Sequence, residues 1–250
     1  MPDAPLHTAA TEAAATVRGT AAPELVLPAP APPTVAVAGT PARFPVRRIF
    51  CVGRNYAAHA REMGRDPDRE PPFFFLKPAD AVVDDGATVP YPPETSNLHH
   101  EIELVVAIGR GGADIPAERA LDHVFGYAVG MDLTRRDLQL QARELGRPWD
   151  WGKGFDRSAP VAPIRRVEEV GHPGSGRIWL AVDGQVKQES DIAALIWPVP
   201  DIIATVSCSM ELRPGDLIMT GTPEGVGKIE RGQTVTGGIE GVGDIRIAVR

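Results

Sequence analysis

The stretch that decides the fold is LHHEIELVVAIG, residues 98–109. It has the apolar content of a buried strand, yet Glu101 and Glu103 lie inside it. Successive side chains of a strand point to opposite faces, so the two glutamates share one face. The other face is filled by Ile102, Leu104, Val106 and Ile108. Because an uncompensated buried ion costs on the order of several kcal/mol, the pair predicts a strand that binds a cation, most simply a divalent one.

Composition and charge limit the classes of function. The chain has 250 residues, 43% hydrophobic and 24% charged, which is ordinary for a globular protein. A net charge of -7, with no cluster of Lys and Arg, argues against a nucleic-acid binder. No apolar run approaches the roughly 20 residues of a membrane-spanning helix, and no targeting segment is evident. These features predict a soluble, cytoplasmic protein that acts on a small molecule or a protein partner and binds neither nucleic acid nor membrane.

The first 40 residues differ in character from the rest. They are dominated by Ala, Pro and Thr, as in LPAPAPPTVAVAG at 27–39, and show no sustained helical or strand periodicity. We therefore expect a flexible arm over residues 1–40 and a folded domain over residues 41–250.

Within that domain, strand patterns outnumber helical ones, and most connections are too short for regular crossovers between parallel strands. A helix is expected over RNYAAHAREMG (54–64) and another over RRDLQLQARELG (135–146). A hairpin is expected with its turn at Asp183-Gly184. Strands are expected at RIFCVG (48–53), FFFLKP (73–78), FGYAVGMDLT (125–134), GDLIMTG (215–221), QTVTGG (233–238) and DIRIAVR (244–250). The pattern favours an α+β domain with a large mixed, partly rolled sheet.

A third carboxylate completes a possible metal site. Asp132 lies near the end of the strand FGYAVGMDLT, and with Glu101 and Glu103 it would make a three-oxygen site suited to Mg²⁺ or Mn²⁺. The alternatives are acids paired with arginines at a strand edge, and an Asp that caps the next helix. His99 shares the phase of the glutamates and would favour Zn²⁺ or Fe²⁺ as a ligand, but hydrogen bonding or packing is the favoured role of His99 and His100.

Two further groups are candidates for catalysis. His59 and Glu62 are three residues apart on a predicted helix, so they share a face and could activate a water; an exposed pair is the alternative. Lys153 lies among aromatic residues and glycines, where it could stabilise a developing oxyanion. The alternative for Lys153 is a simple ion pair with Asp150 or Asp156.

The Gly-rich stretch TGTPEGVGKIERG, residues 220–232, does not fit a phosphate-binding P-loop. The spacing from Gly221 to Gly227 and Lys228 is one residue too long, and Ile229 stands where Ser or Thr would be needed. A tight loop that brings backbone N–H groups and Thr222 to an anion is the better interpretation.

Taken together, these segments resemble the fumarylacetoacetate hydrolase (FAH) family, in particular its acylpyruvase and fumarylpyruvate hydrolase branch. The resemblance covers residues 48–250 almost without interruption. The matching segments are CVGRNYAAHAREM, PPFFFLKPADAVV, NLHHEIELVVAIG, GYAVGMDLTRRDLQ, GRPWDWGKGFDRSAP, VKQESDIAALIW and PGDLIMTGTPEGVG.

The resemblance implies a fold and a set of site residues. The fold would be an FAH-type mixed β-sandwich roll with flanking short helices, as the catalytic domain of a homodimer. The metal, Mg²⁺ or Mn²⁺, would be held by Glu101, Glu103 and Asp132. The catalytic residues would be His59 and Glu62, on a segment that closes over substrate, and Lys153 beside the metal. Substrate oxygens would be bound by Arg54, Arg136, Gln139 and Thr222.

The resemblance also implies an activity, the hydrolytic cleavage of a carbon–carbon bond in a 2,4-dioxo acid. Fumarylpyruvate, cleaved to fumarate and pyruvate in the gentisate route of aromatic catabolism, is the expected substrate. Its distal carboxylate would meet Arg54, Arg61, Arg65 or Arg69. The alternatives are an acylpyruvase for acetylpyruvate-like substrates, an oxaloacetate decarboxylase, and a non-catalytic β-rich protein stabilised by metal.

Overall fold

The computed structural model describes residues 25–62 and 71–250, with the backbone alone described for residues 60–62. The chain divides between Ala31 and Pro32, and the architecture below belongs to the unit that begins at Pro32. Among the described residues, no helix has the length and apolar composition needed to cross a bilayer.

Short strands dominate this unit. They are β1 Thr34–Ala36, β2 Arg43–Pro45, β3 Arg48–Gly53, β4 Phe73–Lys77, β5 Val82–Asp84, β6 Thr88–Val89, β7 Leu98–His100, β8 Ile102–Ile108, β9 Val124–Met131, β10 Thr134–Arg135, β11 Ala159–Val161, β12 Arg165–Arg166, β13 Arg177–Val182, β14 Gln185–Asp191, β15 Asp216–Met219, β16 Gly227–Lys228, β17 Thr234–Ile239 and β18 Gly243–Val249.

The helices are few and short. They are α1 Ala57–Glu62, α2 Arg136–Glu144, α3 Asp150–Lys153, α4 Val167–Val170 and α5 Val199–Ser209, with 3₁₀ turns at Ala79–Ala81, Ala117–His123 and Ile192–Ala194. The N-terminal boundary of α5 follows from Pro198 and Pro200, because proline is tolerated in the first helical turn, where its missing N–H has no partner to lose.

The strands form two large sheets and two small ones. The eight-stranded sheet has the order β4-β3-β15-β8-β9-β11-β5, with β12 beside β9, and the five-stranded sheet has the order β14-β13-β17-β18-β6. Parallel pairs such as β3 with β15 coexist with antiparallel pairs such as β8 with β9. Mixed sheets with short helices confirm the predicted α+β class.

Strand β8 explains why both faces of the large sheet are buried. Its residues Leu104 and Val106 pack in one hydrophobic core together with Ile178 and Ile245 of the five-stranded sheet. Val105 and Ala107, on the other face, pack in a second core, which includes residues of β1 and β2. The predicted alternation is confirmed, and Glu101 and Glu103 continue the face of the second core.

Two predicted boundaries need correction. The stretch 98–109 is two strands instead of one, because β7 pairs with β10 and β16 while β8 pairs with β9 and β15, and Glu101 lies at the break. The folded unit also begins earlier than residue 41. Strand β1 pairs with β2, and Val35 is 1% exposed, because alternate valines of TVAVA face the second core. Flexibility of residues 1–24 lies outside the described residues.

Candidate metal centre and active site

Three carboxylates converge where β8 begins and β9 ends. The antiparallel register pairs Ile102 with Met131, which brings the adjacent Glu101 and Asp132 together, and the Asp132 N–H donates to the Glu101 carbonyl at 2.9 Å. Glu103 projects from β8 on the same face. One oxygen from each carboxylate of Glu101, Glu103 and Asp132 lies within 4.8 Å of the others, and all three residues are buried.

Three cationic side chains face these acids. The Lys153 ammonium lies 2.8 Å from Glu101 Oε2 and 2.6 Å from Asp132 Oδ2. Arg136 donates to Glu101 Oε1, and Lys77 Nζ lies 2.8 Å from Asp132 Oδ1. The alternative pairing of Lys153 with Asp150 or Asp156 was therefore wrong. The two hypotheses for the acids, a metal site and an ion pair with an arginine, both apply to this cluster, because the carboxylates converge and Glu101 also contacts Arg136.

Sequence reasoning missed Lys77. Its side chain is buried, and it donates to the carbonyl oxygens of Leu133 and Lys153. The pattern that could have revealed it is the phase of FFFLKP, in which Lys77 shares a strand face with Phe73 and Phe75. A lysine on the inward face of a strand requires an acidic partner, because an unpaired buried ammonium is costly.

Burial and neighbouring charges shift the pKa values of Glu101 and Glu103 in opposite directions. Burial opposes ionisation of Glu101, but the Lys153 ammonium and Arg136 guanidinium outweigh it and hold its pKa well below the usual range. Burial, followed by the charges of Asp132 and Glu101, raises the pKa of Glu103 well above the usual range. Burial lowers the pKa of Lys153, but Asp132 and Glu101 reverse this, so Lys153 stays an ammonium.

The donor set fits a divalent cation. Asp132 Oδ1 is buried and lies 2.8 Å from Lys77 Nζ, in a contact that lacks the geometry of a hydrogen bond. Glu103 accepts an N–H, from Gly221 at 2.7 Å. Convergent buried carboxylate oxygens, one from each of three residues, are ligands for hard cations such as Mg²⁺ and Mn²⁺.

The predicted site residues surround a single small cavity. It is lined by nine of the ten: Arg54, His59, Glu101, Glu103, Asp132, Arg136, Gln139, Lys153 and Thr222. Glu62 belongs to α1, which also carries His59, but its side chain lies outside the described residues, as do the candidate arginines Arg61, Arg65 and Arg69. A second pocket of about 420 Å³ adjoins the cavity and shares Arg54, Phe73, Phe75, Trp149 and Lys153 with it.

The turn between β3 and α1 is held in an uncommon conformation. Arg54 has a φ of 59°, a region that non-glycine residues seldom occupy, and its guanidinium lies 5.0 Å from the centre of the Phe73 ring. Asn55, which sequence reasoning missed, fixes this turn. Its amide donates to the carbonyl oxygens of Trp197 at 2.9 Å and Thr220 at 2.8 Å, and accepts from the Trp197 N–H at 2.7 Å.

Both histidines of the opening stretch have hydrogen-bonding roles. His99 Nδ1 accepts from Arg136 Nε at 3.3 Å, so Nε2 carries the proton that is donated to Asn97 Oδ1 at 3.0 Å. Burial, and then the charge of Arg136, lowers the pKa of His99 to about 4. His100 Nδ1 lies 3.0 Å from Gln188 Oε1. The favoured expectation for this pair is confirmed, and His99 supports the site through Arg136.

Comparison with known proteins agrees with this architecture. A fumarylpyruvate hydrolase from Ralstonia sp is 47% identical over 189 residues, which cover 75% of this chain and 98% of the relative. The crystal structure of fumarylpyruvate hydrolase from Pseudomonas aeruginosa, in complex with Mn²⁺ and pyruvate, is 56% identical, with a TM-score of 0.89, covering 90% of this chain and 99% of that chain. The mitochondrial oxaloacetate tautomerase FAHD1 of Arabidopsis thaliana is 42% identical over 202 residues, 81% of this chain and 90% of the relative.

The family assignment follows from the extent of these matches. Residues 48–250 match the family model described as the C-terminal region of fumarylacetoacetate (FAA) hydrolase. The resemblance identified from the sequence is thereby confirmed over the range expected for it. The chain belongs to the fumarylacetoacetate hydrolase family.

Proposed function

We propose that this protein hydrolyses fumarylpyruvate to fumarate and pyruvate. The observation that carries the proposal is the buried cluster of Glu101, Glu103 and Asp132 with Lys153 in contact with two of them. Relatives named fumarylpyruvate hydrolase, 47% and 56% identical to this chain, support the choice of substrate.

The metal ligands in this proposal are Glu101, Glu103 and Asp132, and the ion is Mg²⁺ or Mn²⁺. Held there, the ion would supply Lewis-acid stabilisation of the negative charge that develops on a 2-oxo acid when its carbon–carbon bond breaks. Three buried carboxylates already face three cations, Lys77, Arg136 and Lys153, so a divalent ion would leave the site positive. That excess charge suits a substrate with two carboxylates, as fumarylpyruvate has.

The residues of the chain then have separable roles. His59, supported by Glu62, would accept a proton from the water that attacks the distal carbonyl carbon, and would return it to the methylene carbon of the departing pyruvate. Lys153 would donate a hydrogen bond to the pyruvate oxygen on which charge develops. Arg136, Gln139 and Thr222 would hold the oxygens of the pyruvoyl group, because all three line the cavity.

The adjoining pocket suits the fumaryl end of the substrate. Its aromatic walls include Phe73 and Trp149, whose ring centroids are 5.3 Å apart, and a planar conjugated chain packs well against such rings. Arg54, at the boundary with the metal site, is our candidate partner for the distal carboxylate.

A comparison of three substrates tests the proposal. Purified protein would be assayed with Mn²⁺ or Mg²⁺, and after chelation, on fumarylpyruvate, acetylpyruvate and oxaloacetate. We expect the largest kcat/KM on fumarylpyruvate and loss of activity with chelator. Faster turnover of acetylpyruvate would instead identify a general acylpyruvase.

Activity on oxaloacetate is the second candidate function. The 42% identical Arabidopsis relative, named an oxaloacetate tautomerase, supports it. The same preparation would be tested for tautomerisation and decarboxylation of oxaloacetate. A kcat/KM on oxaloacetate above that on fumarylpyruvate would replace our first choice.

The variant Glu62→Gln separates an enzyme from a catalytically silent metal-binding protein. We expect kcat to fall by roughly 100-fold or more, because the base that activates water loses its partner, while Mn²⁺ affinity survives. Glu118→Gln, at an exposed position of a 3₁₀ turn, is the matched control and should change nothing. Equal turnover by the Glu62 variant and the parent protein would contradict the dyad.

Homodimeric assembly and a cytoplasmic location remain predictions. The exposed side chains of Trp151 and Leu145 offer an apolar surface on which a second copy could pack. Light scattering on the purified protein would measure its mass in solution, and cell fractionation would test the location.

A further inference from the structure

Gln188 is an unusual residue on the edge strand β14. Its neighbours in the strand are exposed or half-buried, whereas Gln188 is 1% exposed. The register explains the difference. Leu180 pairs with Gln188 and Ala181 with Val186, so Lys187 is an extra residue, and this bulge turns Gln188 toward the core beside Leu180.

The loop that carries Thr222 packs directly on this bulge. Gly225 has a φ of 84°, and a Cβ at that position would lie 2.2 Å from the Lys187 carbonyl oxygen. Only glycine therefore permits the contact. The contact brings Thr222 and Pro223 within hydrogen-bond distance of the Gln188 amide, whose nitrogen donates to Thr222 Oγ1 at 2.9 Å and to the Pro223 carbonyl at 2.8 Å.

Two backbone groups fix which way the Gln188 amide faces. The Ile102 N–H can only donate, and it donates to Gln188 Oε1 at 3.1 Å. The Pro223 carbonyl can only accept, so it requires the amide nitrogen. A flipped amide would set donor against donor at one end and acceptor against acceptor at the other. His100 Nδ1, 3.0 Å from the same Oε1, must then carry its proton and donate as well.

This orientation determines the polarity of the Thr222 hydroxyl. Thr222 Oγ1 accepts from Gln188, so its single proton is available for another acceptor. Thr222 is buried and lines the cavity that contains the carboxylate cluster. An oxygen of a ligand in that cavity is a suitable acceptor, and a carboxylate would form the stronger, charge-assisted bond.

We propose that Gln188 is a positioning residue that holds the Thr222 hydroxyl as a donor to the carboxylate or keto oxygen of a 2-oxo acid. This inference rests on the proposed function for the class of ligand, and adds a residue that acts through Thr222 without touching the substrate. His100 and the Ile102 N–H lock the amide that imposes this polarity.

Pyruvate binding to the Mn²⁺-loaded full-length protein, measured by calorimetry, tests the proposal. Gln188→Glu replaces the amide donor with an acceptor and should capture the Thr222 proton, weakening pyruvate binding roughly 10- to 100-fold. Gln188→Met, which has a similar length and no charge, should weaken it in the same direction and serves if the buried carboxylate prevents folding. Gln185→Glu, on the exposed part of β14, is the matched control and should bind like the parent.

The decisive readout is the behaviour of Gln188 variants when the hydroxyl is absent. In a Thr222→Val background, the Gln188 substitutions should change pyruvate affinity by less than about twofold, because the pair acts as one unit. Thr222→Ser, which keeps the hydroxyl, should recover most of the pyruvate affinity that Thr222→Val loses. Equal losses in both backgrounds, unchanged affinity of the Gln188 variants, or no pyruvate binding by the Mn²⁺-loaded parent would overturn the proposal.

Failure of the proposed function would look different. A parent protein that binds pyruvate with this dependence on Gln188 and Thr222, yet does not hydrolyse fumarylpyruvate, would refute the hydrolase assignment and support the positioning role.

Discussion

Lys153 links two of the three carboxylates, with its ammonium 2.8 Å from Glu101 Oε2 and 2.6 Å from Asp132 Oδ2. We predict that Lys153→Met lowers kcat on fumarylpyruvate by at least about 100-fold, because the developing charge loses a donor. It should also lower the free energy of unfolding of the metal-free protein by about 3–5 kcal/mol, since two buried acids lose a partner.

The same variant should keep its metal. With the ammonium gone, the acids have less compensation and should bind Mn²⁺ at least as tightly, so Mn²⁺ should raise Tm more in Lys153→Met than in the parent. Thermal melts with and without Mn²⁺ would measure this. Lys228→Met, at an exposed lysine, is the control. A variant that loses Mn²⁺ binding would place Lys153 in a structural role only.

Glu103 gives a prediction about protons at the same scale. Burial and the neighbouring Asp132 and Glu101 raise its pKa, so the metal-free cluster retains a proton at pH values where an ordinary glutamate is ionised. Its contribution to stability is therefore present below the unfolded-state pKa and lost as pH rises through the folded-state pKa. Because a metal ligand must be deprotonated, Mn²⁺ binding should release protons. The affinity for Mn²⁺ should therefore rise with pH up to the folded-state pKa of Glu103. Calorimetry in buffers of different ionisation enthalpy would count the protons, and a count of zero would contradict the raised pKa.

At the scale of elements, the pairing of β3 with β4 shapes the wall of the substrate site. Gly53 lies opposite Phe73, and a Cβ on Gly53 would fall 2.0 Å from Phe73 Cζ, so the ring lies directly on the glycine. We predict that Gly53→Ala displaces the ring from Arg54 and Trp149 and lowers kcat/KM on fumarylpyruvate at least about tenfold. Kinetics of the purified variant would measure the loss.

Two controls identify the cause. Gly174→Ala adds the same methyl where no atom lies within 4 Å and where φ lies outside the left-handed region. It should leave kcat/KM unchanged. The clash should also lower the Tm of Gly53→Ala, and adding Phe73→Leu should recover part of that loss, because a smaller side chain can clear the new Cβ. Independent, additive losses of stability in the double variant would argue against the clash.

Elements whose geometry is local were predictable from the sequence. The alternation in β8 and the turn at Asp183-Gly184, where both residues have positive φ, follow from neighbours along the chain. The pair Glu101 and Glu103 was predictable because an unpaired buried acid is costly, whereas the resemblance supplied Asp132 as their third member. The phase of FFFLKP marks Lys77 as inward-facing, but its partner Asp132 and the role of Gln188 depend on the register of strands far apart in the sequence. The break at Glu101 depends on such pairing as well.

At the scale of the whole molecule, the site is assembled from segments between Arg54 and Thr222. Strand β1 does not line the site but packs in the second core. Pro32 begins the folded unit, whereas composition placed its start at residue 41. The two boundaries make the same prediction for a deletion of residues 1–31 and different predictions for a deletion of residues 1–40. Deletion of residues 1–31 should leave Tm and kcat/KM unchanged, because it removes no strand of the folded unit.

Deletion of residues 1–40 should destabilise the protein, because it removes β1 and uncovers the second core. Val35 and Val37 are 1% and 7% exposed, and losing two buried valines costs about 3–6 kcal/mol. For a unit of this size, that loss corresponds to a fall in Tm of roughly 6 °C or more. Paired melts of the two truncated proteins and the full chain would measure the difference. Equal Tm values for both truncations would return the boundary to residue 41, whereas a large fall on deleting residues 1–31 would show that the arm itself stabilises the fold.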